Sequence, residues 1–361
     1  MARSFSKFLF RAAKKISRLQ RAALRAAMPP KSGKRAAVRK PAARTARSRS
    51  EADAPALGKG RWEATRHFVD AAGRRISFAR YTPEGAPPAG MPLVVMLHGC
   101  RQSAAEFARG SRMNAWADAG GFMVLYPQQS MARQVQRCWR WFLPDEAHGG
   151  GEADLLAALI RAEVERHRLD PERVYVAGLS AGAGMAALLA LRHPALIAAV
   201  GLHSGPVAGD ARNAAAGLQL MRRGSVKSLP EVLRNVAAPE VFRLGMPAII
   251  LHGQLDPFVA PRNARQLAEQ FRIVNDVHPQ EMPADRVLGL GTVNSYRRLD
   301  MLRGRKAVVS LCEVTRLEHA WSGGDPTVKY HAGHGPDASA LCWRFFQGHR
   351  RKLVPGAGAG P

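Results

Sequence analysis

The sequence predicts an α/β fold in which helices cover both faces of a mostly parallel central sheet. Short apolar runs, such as 93–97 and 248–252, are typical of strands that are buried on both faces. These runs alternate with longer segments of helical periodicity, such as 262–271, as expected for a chain of strand–helix–strand units. Apolar residues make up 46% of the 361 residues, so the chain can bury a large core and is not globally disordered.

Each apolar run and each periodic segment gives one predicted element, in a folded unit that begins near Trp62. Strands are predicted at 93–97, 122–126, 174–177, 198–202, 248–252 and 307–314, and helices at 104–119, 153–168, 183–191, 262–271 and 337–347. Ligands of open parallel sheets bind beyond the carboxyl ends of the strands. Polar residues that follow each predicted strand are therefore the first candidates for a functional site.

Much of the net charge of +26 lies in the first 50 residues, which hold 16 Lys and Arg and no acid. The remaining 311 residues hold 38 basic and 28 acidic residues, a net charge of +10. Because the basicity is concentrated in an extension, nucleic acid is not favoured as the main partner. A granule coat or an anionic membrane surface is the partner that residues 1–50 would suit.

The chain divides into four predicted segments. Residues 1–27 place apolar side chains at helical spacing among Lys and Arg, which predicts a basic amphipathic helix. Residues 28–56, rich in Pro, Ser, Ala and cations, are predicted to be a disordered linker. The main folded domain is expected at 57–350, and a flexible tail at 351–361.

Neither a membrane span nor a secretory signal is predicted. Residues 174–191 carry no charge, but three Gly and Ser180 interrupt this run, so a strand, a turn and a helix fit better. The apolar cluster at 8–10 is far shorter than the hydrophobic region of a signal peptide. A cytoplasmic or granule-associated location is therefore favoured by these residues.

The candidate nucleophile lies directly after the predicted strand at 174–177, in the G-x-S-x-G motif of residues 178–182. The glycines permit a sharp strand-to-helix turn that exposes the hydroxyl of Ser180, while the amide of Ala181 faces the same space. A glycine-rich turn with a capping serine is the alternative interpretation.

A serine nucleophile needs a base and a carboxylate that orients the base. In folds with this motif the chain order is Ser, then Asp or Glu, then His. Asp256 and His319 satisfy this order, because each follows a predicted strand. A turn aspartate and a surface histidine are the alternatives, and His331 and His334 compete for the role of base.

Acyl transfer also needs hydrogen-bond donors for the developing oxyanion. The strand at 93–97 ends in His98, Gly99 and Cys100, where a small Gly allows the backbone to approach the serine. The amides of Cys100 and Ala181 could together form this oxyanion hole. The alternative is that these residues simply form a tight turn.

Several motifs resemble the polyhydroxybutyrate (PHB) depolymerase family of esterases, which is related to the feruloyl and acetyl-xylan esterases. The resemblance spans about residues 62–348 and rests on 98–102 (HGCRQ), 113–118, 126–128 (YPQ), 138–142 (CWRWF), 173–182 and 319–324 (HAWSGG). It implies an α/β-hydrolase fold with a triad of Ser180, Asp256 and His319. The chain departs from the family at Arg140, where Asn is frequent, and in its basic N-terminal extension.

The resemblance also bears on the cysteines and on the substrate. Cys100 and Cys138 lie within family motifs, and likeness to secreted esterases implies a disulfide and an extracellular location, whereas a reducing cytosol would leave free thiols. Both alternatives stay open. No Cys or His cluster has zinc-site spacing, so we expect neither a metal nor a cofactor. Four further residues are candidates for substrate contact, unless they pack in the core: His98, Trp139, Trp141 and Trp321.

Together these features predict a serine carboxylesterase that hydrolyses short-chain hydroxyalkanoate esters, poly(3-hydroxybutyrate) or its oligomers through an acyl-enzyme. An esterase for feruloyl or acetyl esters is one alternative. A peptidase would use the same triad. A granule- or polyanion-binding protein that acts through the basic N-terminus is the alternative from a different class.

Overall fold

The computed structural model describes residues 58–87, 89–144 and 151–351. Ten strands within these residues form one sheet: β1 Arg61–Val69, β2 Arg75–Thr82, β3 Leu93–Leu97, β4 Met123–Gln128, β5 Val174–Leu179, β6 Ala199–His203, β7 Ala248–Gly253, β8 Ala284–Leu288, β9 Tyr296–Arg303 and β10 Lys306–Val314. The helices are α1 Ala104–Ser111, α2 Met113–Gly120, α3 Glu152–Arg166, α4 Ala181–Arg192, α5 Ala214–Arg223, α6 Leu229–Arg234, α7 Glu240–Leu244, α8 Arg262–Val274 and α9 Ala338–Gln347.

The strand order is β1-β2-β4-β3-β5-β6-β7-β10-β9-β8. The run from β4 to β10 is parallel, while β1 and β2 at one edge and β9 and β8 at the other pair antiparallel. The predicted α/β class with a mostly parallel sheet is therefore confirmed.

Two apolar clusters lie on opposite faces of the sheet. Leu93, Val95 and Leu97 of β3 pack with helices α3, α4 and α8, whereas Val94 and Met96 pack with α1, α2 and α9. Successive side chains of a strand point to opposite faces, so a strand covered by helices on both sides must be apolar throughout. This requirement is why the central strands are recognisable as continuous apolar runs.

The structure differs from the prediction at the sheet edges and in the helices. Helices α5, α6 and α7 were not predicted, and one predicted helix is divided in two. Strands β1, β2, β8 and β9 were not predicted, because β1 and β8 are mostly exposed and lack an apolar run. The helix expected at 104–119 is two helices, interrupted at Arg112, whose φ of 57° places it in the left-handed region. A residue in that conformation ends the ladder of helical hydrogen bonds.

The C-terminal boundary lies slightly later than predicted. Arg351, expected as the first residue of a flexible tail, is buried and donates hydrogen bonds to the carbonyls of Ile197, Leu244 and Gly245. Burial lowers the pKa of its guanidinium to about 10. The predicted helix at 1–27, the linker at 28–56 and the remainder of the tail lie outside the described residues. No helix in the described ranges is both long and apolar enough to cross a bilayer.

Two cysteines belong to the core, as their positions in a predicted strand and helix indicate. Cys312 of β10 and Cys342 of α9 are buried and free. Burial raises the pKa of the Cys312 thiol to about 12 and raises that of Cys342 as well. Both side chains are therefore uncharged hydrophobic groups at neutral pH.

Candidate active site

The register of the parallel strands brings the ends of β3, β5, β6 and β7 to one edge of the sheet. Leu97 pairs with Gly178, and Leu179 pairs with His203, which in turn pairs with Leu251. The residues that follow each strand consequently emerge side by side. This is the edge where the candidate site residues were expected.

Ser180 occupies the sharp turn between β5 and α4. Its φ of 58° is unusual for a residue other than glycine, and its amide donates to the His203 carbonyl at 2.9 Å. A Cβ atom at Gly178 would overlap the carbonyl of Gly182, and one at Gly182 would overlap the carbonyl oxygen of Leu97. Both motif glycines are thus required for the close packing of strand, turn and helix that holds the serine in place.

Asp256 and His319 meet at this edge. Nδ1 of His319 donates to Oδ2 of Asp256 at 2.7 Å, and Oδ1 of Asp256 accepts the amides of Phe258 and Val259, both at 2.9 Å. Burial alone would raise the pKa of Asp256, but these hydrogen bonds together hold it below its usual value. The group is therefore a carboxylate at neutral pH. Its hydrogen bond engages Nδ1 of His319, and in the described ranges Nε2 of that ring has no hydrogen-bond partner.

Sequence reasoning missed a second histidine behind the carboxylate. His252, at the end of β7, donates from Nε2 to the Val259 carbonyl at 2.8 Å, and the same atom lies 3.6 Å from Oδ2 of Asp256. Burial lowers its pKa, so the ring is neutral and packs beside Asp256 without neutralising it. The available signal was its position, at a strand end four residues before the aspartate.

Ser180 and His319 line one open cleft with a volume of about 240 Å³. Met221, Phe258 and Tyr330 form its larger walls, and the Phe258 ring lies 5.3 Å from the His319 ring. Besides Ser180 and His319, three polar side chains line the cleft and come from the loops that precede α1 and follow β4: Arg101, Gln102 and Gln136. None of these six wall residues was singled out from the sequence as a substrate contact.

The loop after β3 lies close to the serine. A Cβ atom at Gly99 would lie 3.6 Å from Cβ of Ser180 and 3.4 Å from the Leu179 carbonyl oxygen. Within the described ranges, the amides of Cys100 and Ala181 donate to no other residue. Two unused donors therefore lie on the segments that flank the serine hydroxyl, as an oxyanion site requires.

A disulfide connects this loop to the segment after β4. Cys100 and Cys138 are bonded, and the amide of Arg101 donates to the Gln136 carbonyl at 2.6 Å. The bond closes a loop of 38 residues, so replacing both cysteines with alanine should lower the free energy of unfolding by about 2–4 kcal/mol. Urea denaturation of the double variant measures this loss. An unchanged midpoint would show that the tether does not stabilise the fold.

The four residues proposed to contact substrate do not line the cleft, and their assignment is corrected. His98, Trp139, Trp141 and Trp321 are all buried. His98 donates from Nδ1 to the Gly99 carbonyl at 2.8 Å and accepts the Gln129 amide at Nε2, while Nε1 of Trp139 donates to the His98 carbonyl. His98 and Trp139 thus hold backbone atoms near the cleft, and none of the four side chains lines it.

The competing histidines also lie elsewhere. His331 is buried against Gly110 and donates from Nδ1 to the Lys329 carbonyl at 3.0 Å. His334 donates to the Arg316 carbonyl at 3.3 Å. Neither residue lines the cleft, so of the three candidate histidines His319 is the one that shares the cleft with Ser180.

Buried histidines should make the protein sensitive to acid. Burial lowers the pKa of His98, His331 and His349 to about 4 and that of His203 to about 3. Between about pH 6.5 and pH 4 the unfolded chain therefore binds more protons than the folded one. The free energy of unfolding should be highest above pH 6.5 and should fall by at least about 3 kcal/mol as the pH approaches 4.

Urea denaturation at several pH values measures this dependence. The variant His349→Gln should reduce the slope of stability against pH, whereas His278→Gln, at an exposed histidine, should not. A slope that is the same for wild type and His349→Gln would contradict the assignment to buried histidines.

The sheet, the helices on its two faces and the serine on a sharp strand-to-helix turn define a protein of the α/β-hydrolase type. Residues 76–282 match the family described as Esterase PHB depolymerase, and the chain belongs to this family. The resemblance seen in the sequence motifs is thereby confirmed.

Several known proteins are similar to the chain. Poly(3-hydroxyalkanoate) depolymerase C of Paucimonas lemoignei is 34% identical over 204 residues, which are 54% of this chain and 48% of that protein. Feruloyl esterase B of Thermothelomyces thermophilus is 30% identical over 191 residues, 50% of this chain and 64% of that enzyme. The chain spans about half the length of the curated relatives it matches.

The fold is shared with a solved structure, an acetyl xylan esterase from Aspergillus awamori. The TM-score is 0.64 at 18% identity, and the match covers 79% of this chain and 99% of that one. The relatives named here are all hydrolases of carboxylic esters.

Proposed function

We propose that the protein is a serine carboxylesterase that hydrolyses short-chain hydroxyalkanoate esters, such as oligomers of 3-hydroxybutyrate or the polyester itself. The observation that carries the proposal is the hydrogen bond between His319 and Asp256, because it orients a base in the same cleft as Ser180. A serine on a strained turn, a histidine and an ionised carboxylate form the set of groups that acyl transfer uses.

In this mechanism Nε2 of His319 takes the proton of Ser180 while Oγ attacks the ester carbonyl carbon. The amides of Cys100 and Ala181 stabilise the negative charge that develops on the carbonyl oxygen. His319 then gives its proton to the departing alcohol, and the acyl group remains on the serine. Water, deprotonated by His319, attacks the acyl carbon, the bond between that carbon and Oγ of Ser180 breaks, and His319 returns the proton to Oγ as the hydroxy acid leaves. The carboxylate of Asp256 stabilises the imidazolium that forms in both steps.

The choice of substrate is supported by the cleft and by one relative. Met221, Phe258 and Tyr330 offer apolar surface for a short aliphatic chain. A relative with 34% identity is named as a poly(3-hydroxyalkanoate) depolymerase. Feruloyl and acetyl esters are the second candidate class, since other relatives bear those names.

A panel of substrates tests the proposal. Purified full-length protein should hydrolyse p-nitrophenyl butyrate, and its kcat/KM should be higher on 3-hydroxybutyrate oligomers than on methyl ferulate or acetylated xylan. A preference for methyl ferulate or acetylated xylan would reassign the substrate. If the protein hydrolyses none of these esters, the proposed esterase function is rejected.

The basic N-terminus is proposed to hold the enzyme at a granule coat or an anionic membrane. Its 16 cations without an acid, with apolar residues at helical spacing, support this role. Deleting residues 1–56 should leave hydrolysis of a soluble ester within a few-fold of the full chain. The same deletion should weaken binding to anionic vesicles or polyester granules, and binding by the full chain should fall as salt rises. Equal vesicle and granule binding by both proteins would contradict the anchor.

A further inference from the structure

One arginine supplies the permanent charge of the described cleft wall. Among the described residues of the cleft wall, Arg101 is the one with a permanent charge, and it is exposed. No carboxylate in the described ranges lies within 4.0 Å of its guanidinium. Within the described part of the chain, Arg101 thus faces solvent in the cleft without an acidic partner, so its guanidinium is available to a ligand.

A second cation lies at the rim. Nζ of Lys329 lies 5.0 Å from the ring centroid of Tyr330, which itself lines the cleft. Gln102, another wall residue, donates to the Lys329 carbonyl at 3.1 Å and connects this segment to the loop of Arg101. Arg101 in the wall and Lys329 beside Tyr330 are therefore two cations at the cleft, and none of the described wall residues is acidic. The exposed Glu318 precedes His319 but does not line the wall. A cation in the wall attracts an anionic group of a substrate.

The position of Arg101 in the sequence also connects it to the proposed oxyanion site. It directly follows Cys100, whose amide is the proposed oxyanion donor, and its own amide is bonded to the Gln136 carbonyl. In a hydroxyalkanoate oligomer the unit beyond the scissile ester is the departing alcohol. When that unit is the last one, its free carboxylate lies one monomer length from the scissile carbonyl. Because Arg101 follows the proposed oxyanion donor Cys100 and lines the same cleft, we expect its side chain to be within reach of that carboxylate.

We infer that Arg101 is a specificity-determining residue that binds the terminal carboxylate of the departing hydroxy-acid unit, so that the enzyme prefers oligomers with a free acid end. The inference rests on the proposed function. As the bond between Ser180 Oγ and the carbonyl carbon forms, the ester C–O bond breaks, and the proton from Ser180 passes through His319 to the departing oxygen. Arg101 holds that departing unit through charge-assisted, bidentate hydrogen bonds.

Two forms of one substrate test this role: the linear dimer of 3-hydroxybutyrate with its free carboxylate, and the same dimer capped as a neutral primary amide. The measured quantity is the ratio of kcat/KM for the acid to kcat/KM for the amide. Arg101→Gln should lower this ratio by about 10- to 100-fold, the effect of losing a hydrogen-bonded charge pair. The ratio for Arg101→Lys should lie between those of wild type and Arg101→Gln, because lysine keeps the positive charge but lacks the planar guanidinium that donates two hydrogen bonds to a carboxylate.

Arg112→Gln is the matched control. Arg112 is also exposed and has a φ of 57°, close to the 67° of Arg101, but it does not line the cleft. This variant should keep the wild-type ratio, which shows that the effect does not come from net charge alone. In the wild type the ratio should also fall with added salt.

The possible outcomes distinguish a failure of the inference about Arg101 from a failure of the proposed function. If wild type and Arg101→Gln hydrolyse p-nitrophenyl butyrate and both dimers, and their acid-to-amide ratios of kcat/KM are equal, the inference is overturned. The proposed esterase function then still stands. An equal loss in Arg112→Gln also overturns it. No turnover of any of the three esters overturns the proposed function and the inference together.

Discussion

Replacing Ser180 with alanine is expected to lower kcat by about 10⁶-fold, close to the loss of the entire triad. The substitution removes the hydroxyl that would form the acyl-enzyme, while Gly178 and Gly182 still allow the close packing of β5, the turn and α4. The variant should therefore fold normally. Hydrolysis of p-nitrophenyl butyrate, followed together with circular dichroism, measures both properties.

Ser204 provides a matched control for this experiment. It too follows a strand, is buried and has a positive φ, of 50°, but it does not line the cleft. Ser204→Ala should keep activity within a few-fold of wild type. In addition, a fluorophosphonate should label Ser180 in the wild type, as found by peptide mass spectrometry. Full activity of Ser180→Ala, or labelling at another serine, would reject the nucleophile.

Replacing Asp256 with asparagine is expected to lower kcat by about 10⁴-fold, by analogy with other triads. The asparagine oxygen can still accept the amides of Phe258 and Val259, so the loop should keep its conformation. A neutral amide can neither stabilise the imidazolium nor enforce the tautomer in which Nδ1 of His319 carries the proton. The loss should therefore appear in kcat with little change in stability.

Two histidine variants complete the comparison. His319→Ala should be as severe as Asp256→Asn, whereas His331→Ala should keep activity within a few-fold, since His331 is buried away from the cleft. Steady-state kinetics on a soluble ester distinguish them. Activity of Asp256→Asn within tenfold of wild type, or a more severe effect of His331→Ala, would move the assignment of the base and its partner.

The central fold could be predicted because burial on both faces leaves a local signature. Residues 93–97 are apolar throughout because Leu93 and Val94 face different clusters. The edge strands β1 and β8 have no such signature, because most of their side chains face solvent. The break between α1 and α2 could not be predicted either, because the residue in the left-handed conformation, Arg112, is neither Gly nor Pro.

For the candidate site, the order of the residues along the sequence was informative, whereas the burial of individual side chains could not be predicted from it. Ser180, Asp256 and His319 follow strands, so knowledge of the sheet places them at one edge, and the structure joins Asp256 to His319 there. Whether an aromatic beside such a motif faces the ligand depends on contacts far along the chain. Trp139 is turned inward by its hydrogen bond to the His98 carbonyl, 41 residues away.

The four cysteines form one disulfide and two buried free thiols. This arrangement limits the thiol–disulfide exchange that the protein can undergo. Exchange requires an accessible thiolate, but Cys312 and Cys342 are buried and uncharged. They therefore cannot attack the bond between Cys100 and Cys138, and the native protein has no internal route to a mispaired isomer. Any response to an external reductant is consequently a response of that one bond, which lies on the loop that carries the proposed oxyanion donor.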